Sequence, residues 1–203
     1  MKIHVFSLGE LQANCYLLES EGKALIIDPG DDAPFILEEL QRKNLKLVGI
    51  CLTHGHFDHA MAVGEIQMSF PVPLYMSQED AFLVDRLEKT AQHFLDHSPV
   101  VIQPLKVEYF TPGEFRISSF VFTVIPTPGH TPGSVCLYFS GEKNIFTGDT
   151  LFSGAVGRTD FVYGDKRKLN KSLDLLFALP DETEIYPGHG EMTYILTEKE
   201  NRK

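Results

Sequence analysis

The chain has 203 residues, of which 43% are hydrophobic and 23% are charged, and its formal net charge is -10. This length fills one hydrophobic core but not two generous ones, so we expect a single domain over residues 1–203. An acidic surface repels nucleic acid and anionic membranes, so we expect neither as a non-specific partner.

The first part of the sequence predicts three strands followed by a helix. Asp32 has the side chain of a helix N-cap, and Pro34 suits the first helical turn after it. Apolar and alternating segments separated by turns at Gly9 and Gly22 are typical of strands. These predicted strands cover residues 2–8, 14–20 and 23–28.

The next predicted strand, residues 45–52, leads directly into the heptapeptide Thr-His-Gly-His-Phe-Asp-His. If the extended backbone continues, His54 and His56 point to the same side and can share one ion. Asp58 and His59 point apart in an extended chain, so we expect them to serve a second ion beside the first. Crowded imidazoles and carboxylates are typical of metal sites, and the alternative is a polar loop whose histidines cap and hydrogen-bond.

Further elements follow the heptapeptide. Helical patterns cover residues 60–70 and 78–97, with a short strand at 74–76 between them. In the second part, a helix is predicted at 166–178. The strands predicted there cover residues 107–110, 114–117, 120–125, 134–139, 144–147 and 183–186. Because strands followed by a helix occur twice, we predict an α/β fold, a four-layer αββα sandwich of two mixed β-sheets flanked by helices.

Three further candidate ligands, His130, Asp149 and His189, each follow an apolar strand and stand directly after a glycine. Taken singly, each is also typical of a turn or cap residue. Together with the heptapeptide they complete a set of seven donors, which favours metal binding for all of them.

These residues resemble the signature of the metallo-β-lactamase superfamily, in which an H-x-H-x-D-H motif is followed in order by His, Asp and His. The resemblance implies two divalent metal ions, with zinc as the first choice and iron or manganese as alternatives. The ligands that it implies are His54, His56 and His130 for the first ion, Asp58, His59 and His189 for the second, and Asp149 as the bridge between them.

Within the superfamily, the sequence is most similar to short, single-domain, glyoxalase-II-like (hydroxyacylglutathione hydrolase-like) proteins. A bridging Asp149 is unlike the true β-lactamases, and flavodiiron electron carriers have a glutamate where this chain has His56. Full-length glyoxalase II enzymes carry a further helical domain that helps to hold glutathione, and this sequence ends at Lys203, about where that domain would begin. The similarity lies in residues 8–16, 157–160 and 186–190.

We therefore predict a metal-dependent hydrolase of thioesters such as S-2-hydroxyacylglutathione, with a metal-bridging hydroxide as the nucleophile. The sequence offers no obvious general acid beyond the ligands, which favours a thiolate leaving group, whose conjugate acid has a pKa of about 8.5. Asp58 and Asp149 are the candidates to accept a proton as the tetrahedral species collapses. 

Three residues outside the ligand set are candidates for substrate binding. Arg158 follows the Asp149 loop closely enough to overhang the metals, and its alternative role is a structural salt bridge. Tyr163 and Phe152 are candidates for the wall of the pocket.

The sequence leaves two other functions open. A persulfide dioxygenase of the same fold would use one iron held by His54, His130 and Asp149. A non-catalytic metal-binding module is disfavoured because all seven donors are present. For partners, we expect a small-molecule thioester, neither nucleic acid nor membrane, and a monomer or a small homo-oligomer.

Cellular location is predicted from the cysteines and the N-terminus. Cys15, Cys51 and Cys136 lie in apolar, strand-like stretches without the spacing of a disulfide framework or a thiolate metal site. The N-terminus lacks the continuous apolar segment of a secretory signal, and no apolar run approaches membrane-spanning length. These features predict a cytoplasmic protein with core thiols.

Overall fold

The computed structural model describes residues 1–202 and contains two six-stranded mixed sheets. The first sheet consists of β1 (Lys2–Leu8), β2 (Ala13–Ser20), β3 (Lys23–Ile27), β4 (Lys46–Cys51), β5 (Leu74–Met76) and β6 (Val107–Tyr109). Its strand order is the chain order. β1, β2 and β3 pair antiparallel, whereas β4, β5 and β6 extend the sheet by parallel pairing.

The second sheet consists of β7 (Gly113–Ile117), β8 (Phe120–Pro126), β9 (Val135–Phe139), β10 (Asn144–Gly148), β13 (Glu184–Pro187) and β14 (Thr193–Tyr194). A separate hairpin of β11 (Leu151–Phe152) and β12 (Ala155–Val156) lies between β10 and β13 in the sequence. The strand order of the second sheet is β14-β13-β10-β9-β8-β7. β10 and β13 pair parallel, and the other neighbours in this sheet pair antiparallel.

Seven α-helices are present among residues 1–202, together with a single 3₁₀ turn at Gln78–Asp80. Asp32 is the N-cap of the first helix and accepts a hydrogen bond from the Phe35 amide, as the sequence predicts. None of these helices is both long and apolar enough to cross a bilayer. They are α1 (Ala33–Arg42), α2 (Phe57–Ala60), α3 (Val63–Ser69), α4 (Ala81–Val84), α5 (Leu87–Phe94), α6 (Lys166–Leu176) and α7 (Ile195–Asn201).

Three apolar clusters show how the layers stack. Neighbouring residues of β2 point to opposite faces of the sheet, so Leu17 packs in the cluster beneath α1 to α5 and Leu18 packs in the cluster between the two sheets. On the far face of the second sheet, Ile145 of β10 packs with Leu169 and Leu173 of α6. Both faces of both sheets are therefore covered, which confirms the predicted four-layer αββα sandwich.

The predicted helix at 60–70 is wrong in its bounds, because the chain forms two helices, α2 and α3, with a break between them. The Ala62 amide donates to the Pro29 carbonyl at 3.1 Å, so it leaves the hydrogen-bond ladder of the helix. This tertiary contact has no local signal in the sequence.

Other elements also differ from the prediction. The helix predicted at 78–97 is divided into a 3₁₀ turn, α4 and α5. The Arg86 amide bonds to the Leu83 carbonyl at 3.0 Å, three residues back, which tightens the chain where α4 ends. Strand β6 pairs with β5 and thus belongs to the first sheet rather than to the second part. The short hairpin and β14 were not predicted, since two-residue strands carry no measurable alternation. The helix α7 was not predicted either.

Candidate metal centre

All seven predicted ligands lie where strands end at one edge of the two sheets. The heptapeptide follows β4, His130 follows β8, Asp149 follows β10 and His189 follows β13. β8, β10 and β13 run in the same direction, so their carboxyl ends meet at one edge. The first sheet supplies four of the donors and the second sheet supplies three, which places the candidate site across the top of the sandwich.

The first group of donors comprises His54, His56, His130 and Asp149, and one potential ligand atom from each lies within 4.8 Å of the others. His56 Nδ1 lies 3.0 Å from His130 Nε2, and His130 Nε2 lies 3.5 Å from Asp149 Oδ2. The backbone is still extended at His56, as the sequence predicts.

The second group comprises Asp58, His59 and His189. His189 Nε2 lies 3.3 Å from both His59 Nε2 and Asp58 Oδ2. Contrary to the extended-chain argument, Asp58 and His59 belong to α2, and a helical turn rather than a strand brings both side chains to His189. Asp149 Oδ1 lies 3.4 Å from His59 Nε2, so this carboxylate faces both groups.

Two buried atoms in the cluster test whether its residues fit metal ions. Among residues 1–202, His54 Nε2 and Asp149 Oδ1 are buried and have no hydrogen-bond partner. An unpaired buried polar atom is costly, and a lone pair on each of these atoms is available to a cation. Imidazole and carboxylate donors together suit zinc, iron or manganese. The residues present therefore fit two divalent ions that share Asp149.

Burial and neighbouring charges set the protonation of the cluster. Burial lowers the pKa of His54 well below its usual value, and burial together with His130 lowers the pKa of His56 to about 3. Burial acts to raise the pKa of Asp149, but His59 and His130 outweigh it and hold this pKa well below its ordinary range. His54 and His56 therefore present neutral imidazoles and Asp149 an ionised carboxylate, the forms in which they bind metal. Burial acts to lower the pKa of His59 and His189, but Asp58 and Asp149 outweigh it and raise both.

The five histidines each use one ring nitrogen to contact the protein and direct the other toward the cluster. His130 Nδ1 donates to the Arg158 carbonyl at 2.9 Å, and His189 Nδ1 donates to the Leu11 carbonyl at 3.1 Å. His56 is oriented the other way, with Nε2 lying 2.8 Å from the Tyr163 hydroxyl. Such contacts fix the tautomer and the ring orientation of metal-binding histidines.

Asp28, at the end of β3, supports the other two histidines and was missed as a functional residue. Its Oδ2 atom accepts hydrogen bonds from His59 Nδ1 at 3.1 Å and from the Thr53 hydroxyl at 2.6 Å. The Thr53 hydroxyl in turn lies 3.2 Å from His54 Nδ1, so one buried carboxylate orients two imidazoles. The one local signal was an acidic residue directly after a buried strand, without the preceding glycine that marked Asp149.

A sequence model described as the metallo-beta-lactamase superfamily matches residues 8–189 of this chain. This range includes all seven donors and most of both sheets. The chain belongs to the metallo-β-lactamase superfamily.

Individual members of the superfamily are similar to this chain over nearly its whole length. It is 37% identical over 204 residues to a Haemophilus influenzae protein named hydroxyacylglutathione hydrolase GloC, which covers 98% of this chain and 95% of that protein. Among solved structures, BLEG-1 B3 metallo-beta-lactamase superposes with a TM-score of 0.91, 33% identity and coverage of 98% and 97%. TTHA1623 in a di-iron-bound form superposes with a TM-score of 0.90, 35% identity and coverage of 98% of both chains.

A cavity of about 240 Å³ opens above the superfamily's signature residues and includes two of the three predicted substrate contacts. Arg158 and Tyr163 line this cavity, whereas Phe152 lies outside the lining, with its ring centroid 6.3 Å from that of His189. The lining residues are Leu11, His56, Phe57, Asp58, Thr90, Phe94, His130, Asp149, Arg158, Phe161 and Tyr163.

Proposed function

We propose that this protein is a dinuclear metal-dependent hydrolase of thioesters such as S-2-hydroxyacylglutathione. The observation that carries the proposal is the division of seven donors into two groups beneath an open cavity, with one oxygen of Asp149 facing each group. Two divalent cations, with zinc as first choice, would acidify a water between them to hydroxide at neutral pH and would polarise a carbonyl. His54, His56 and His130 would hold one ion, Asp58, His59 and His189 the other, and Asp149 would hold both.

The cavity lining favours a leaving group that departs without a proton. Asp58 and Asp149 have lowered pKa values, because His59 and other imidazoles outweigh the effect of burial, so neither carboxyl carries a proton at neutral pH. The Tyr163 hydroxyl contacts His56, and its pKa is raised by burial. A thiolate leaves unaided far more readily than an alkoxide, so these residues support thioesters over ordinary esters. Proton acceptance by either aspartate stays a prediction.

The relatives also support hydrolysis, since one has a name that describes a glutathione thioester hydrolase and another is a β-lactamase. The second candidate function is the mononuclear-iron persulfide dioxygenase, for which His54, His130 and Asp149 lie in one group. Such an enzyme would need one iron and would leave the second group of donors without a role.

The test combines elemental analysis of protein purified without added metal with a panel of substrates. We expect two divalent ions per chain and hydrolysis of small thioesters, including S-lactoylglutathione. One iron per chain with oxygen uptake on a glutathione persulfide would instead establish the dioxygenase. Hydrolysis of a cephalosporin without any thioester hydrolysis would overturn the proposed substrate class.

A further inference from the structure

Two stacked aromatic pairs flank the cavity above the candidate metal centre. Phe57 of α2 and Phe94 of α5 stack with ring centroids 5.7 Å apart and planes 15° apart. The second pair is Phe161 and Tyr163, whose ring centroids lie 5.4 Å apart and whose planes are 21° apart. All four rings line the cavity, and Leu11 adds a further apolar side chain. The cavity is therefore polar at its histidines and aspartates and apolar along much of its wall.

Arg158, the one lysine or arginine among the lining residues, already has an anionic partner. Its Nε and Nη2 atoms donate to the two carboxylate oxygens of Asp160 at 2.7 and 2.6 Å. The guanidinium also lies over the Phe161 ring, 4.5 Å from the centroid. An anionic substrate group must therefore compete with Asp160 for this guanidinium, in an ion pair whose side chains are 58% and 64% exposed.

The size of the cavity limits how much of a substrate it can enclose. Its volume of about 240 Å³ lies below the roughly 300–1,000 Å³ of cavities that enclose drug-sized ligands. A cavity of this size has room for one side of a thioester, and a group on that side would lie against the aromatic pairs.

We propose that the cavity selects thioesters whose enclosed group is apolar and uncharged, with Phe94 as a specificity-determining residue. This inference rests on the proposed function and narrows it, since among thioesters the cavity then prefers an apolar acyl or thiol group to a hydroxyacyl or glutathionyl group. The enclosed group lies on either the acyl side or the thiol side of the scissile carbonyl. If it is the acyl group, activity should rise with acyl length, and if it is the thiol, activity should rise with the length of the thiol. Each methylene removed from water raises kcat/KM about fourfold until the cavity is full.

The experiment uses the metal-loaded protein and two matched series of neutral thioesters. In the first series, the acyl group is lengthened from acetyl to butyryl and hexanoyl on N-acetylcysteamine. In the second, the thiol is lengthened while the acetyl group is kept. We expect kcat/KM to rise with length in one series, and the series that rises identifies the enclosed side.

Phe94→Ala tests the role of the aromatic wall, and Tyr109→Ala is its matched control. Phe94 and Tyr109 have the same fractional exposure, 46%, but Tyr109 lies on β6 outside the cavity lining. We expect Phe94→Ala to lower the ratio of long-chain to acetyl kcat/KM at least fivefold, whereas Tyr109→Ala keeps the wild-type ratio. Because both side chains are exposed, circular dichroism should show folded protein for both variants.

Three results would overturn the inference while leaving thioester hydrolysis in place. These are a flat or falling trend in both series, an unchanged ratio in Phe94→Ala, and a preference for anionic glutathione thioesters that Arg158→Ala abolishes. If no thioester is hydrolysed, the proposed function fails, and calorimetric binding of non-hydrolysable S-alkyl thioethers of increasing length then decides the inference. Affinity that does not rise with alkyl length would refute it.

Discussion

At the scale of single residues, Asp149 is the donor on which a dinuclear site depends. One of its carboxylate oxygens faces His130 and the other faces His59, and Gly188 leaves room for this arrangement. A Cβ atom at Gly188 would lie 2.2 Å from Asp149 Oδ1, so a larger side chain there would displace the carboxylate. The negative charge of Asp149 also lowers the repulsion between two close cations.

Replacing Asp149 by Asn should keep the fold and reduce both metal content and hydrolysis. The amide has nearly the same shape but lacks the charge that two cations share. We expect fewer than two ions per chain and a loss of at least ~10²-fold in kcat/KM. Elemental analysis and thioester kinetics would check this, with the exposed Asp160→Asn as control for metal content. Two ions with near-wild-type turnover in Asp149→Asn would show that the bridge is dispensable.

Tyr163 has a role beyond the pocket wall, since its hydroxyl lies 2.8 Å from His56 Nε2. If Nδ1 of His56 held a cation, Nε2 would carry the proton and would donate a hydrogen bond to this hydroxyl. Tyr163→Phe keeps the ring that stacks on Phe161 but removes the acceptor, so we expect about tenfold weaker metal affinity in chelator competition. Tyr109→Phe, on the exposed strand β6, is the control. If both variants bind metal with equal affinity, the hydrogen bond between Tyr163 and His56 does not contribute to metal binding.

At the scale of elements, the 3₁₀ turn at Gln78–Asp80 joins two of the loops that carry the first group of donors, the loop of His54 and His56 and the loop of His130. The Asp80 carboxylate accepts hydrogen bonds from the amides of Gly55 and Gly133 at 2.9 and 2.7 Å. The Thr131 hydroxyl donates to the same carboxylate at 2.7 Å. The sequence predicts only a helix over 78–97 and does not reveal this role of Asp80, because its partners lie 25 to 53 residues away in sequence.

Replacing Asp80 by Ala should destabilise the protein even without metal. The change leaves two buried amides unpaired, and each unpaired buried donor costs about 1–3 kcal/mol. We therefore expect the free energy of unfolding of the metal-free protein, measured in urea, to fall by at least ~2 kcal/mol. Asp85→Ala, an exposed change a few residues along the same segment, should have little effect. A fall that is equal in both variants would contradict the assigned role of Asp80.

The same elements show what local sequence can and cannot predict. The seven donors were found because each stands in a short segment after an apolar strand, and the strand β2 was found from its apolar residues. Asp28 was not found, because its partners Thr53 and His59 lie 25 and 31 residues away. Helix breaks such as the one at Ala62 arise from hydrogen bonds to backbone that is distant in sequence. The local hydrophobic periodicity contains no information about such contacts.

At the scale of the whole molecule, the candidate metal centre connects the two halves of the sandwich. His54, His56, Asp58 and His59 follow the first sheet, and His130, Asp149 and His189 follow the second. The four layers could be predicted because strands followed by a helix occur twice in the sequence. β6 was placed in the wrong half because the sheet that a strand joins depends on its pairing with distant strands, which the order of elements does not give.

Because ions at this position would bind donors from both sheets, removing them should destabilise the whole molecule and not only its loops. The unfolded chain does not hold the donors together, so each ion stabilises the folded state by about 2.7 kcal/mol when it is present at 100 times its dissociation constant. For a chain of this size, we expect a chelator to lower the Tm by roughly 5 °C or more per ion. Thermal unfolding with and without chelator, at known metal content, measures this shift, and Asp149→Asn should show a smaller one. An unchanged Tm on removal of both ions would mean that the donors are not linked through metal across the sheets.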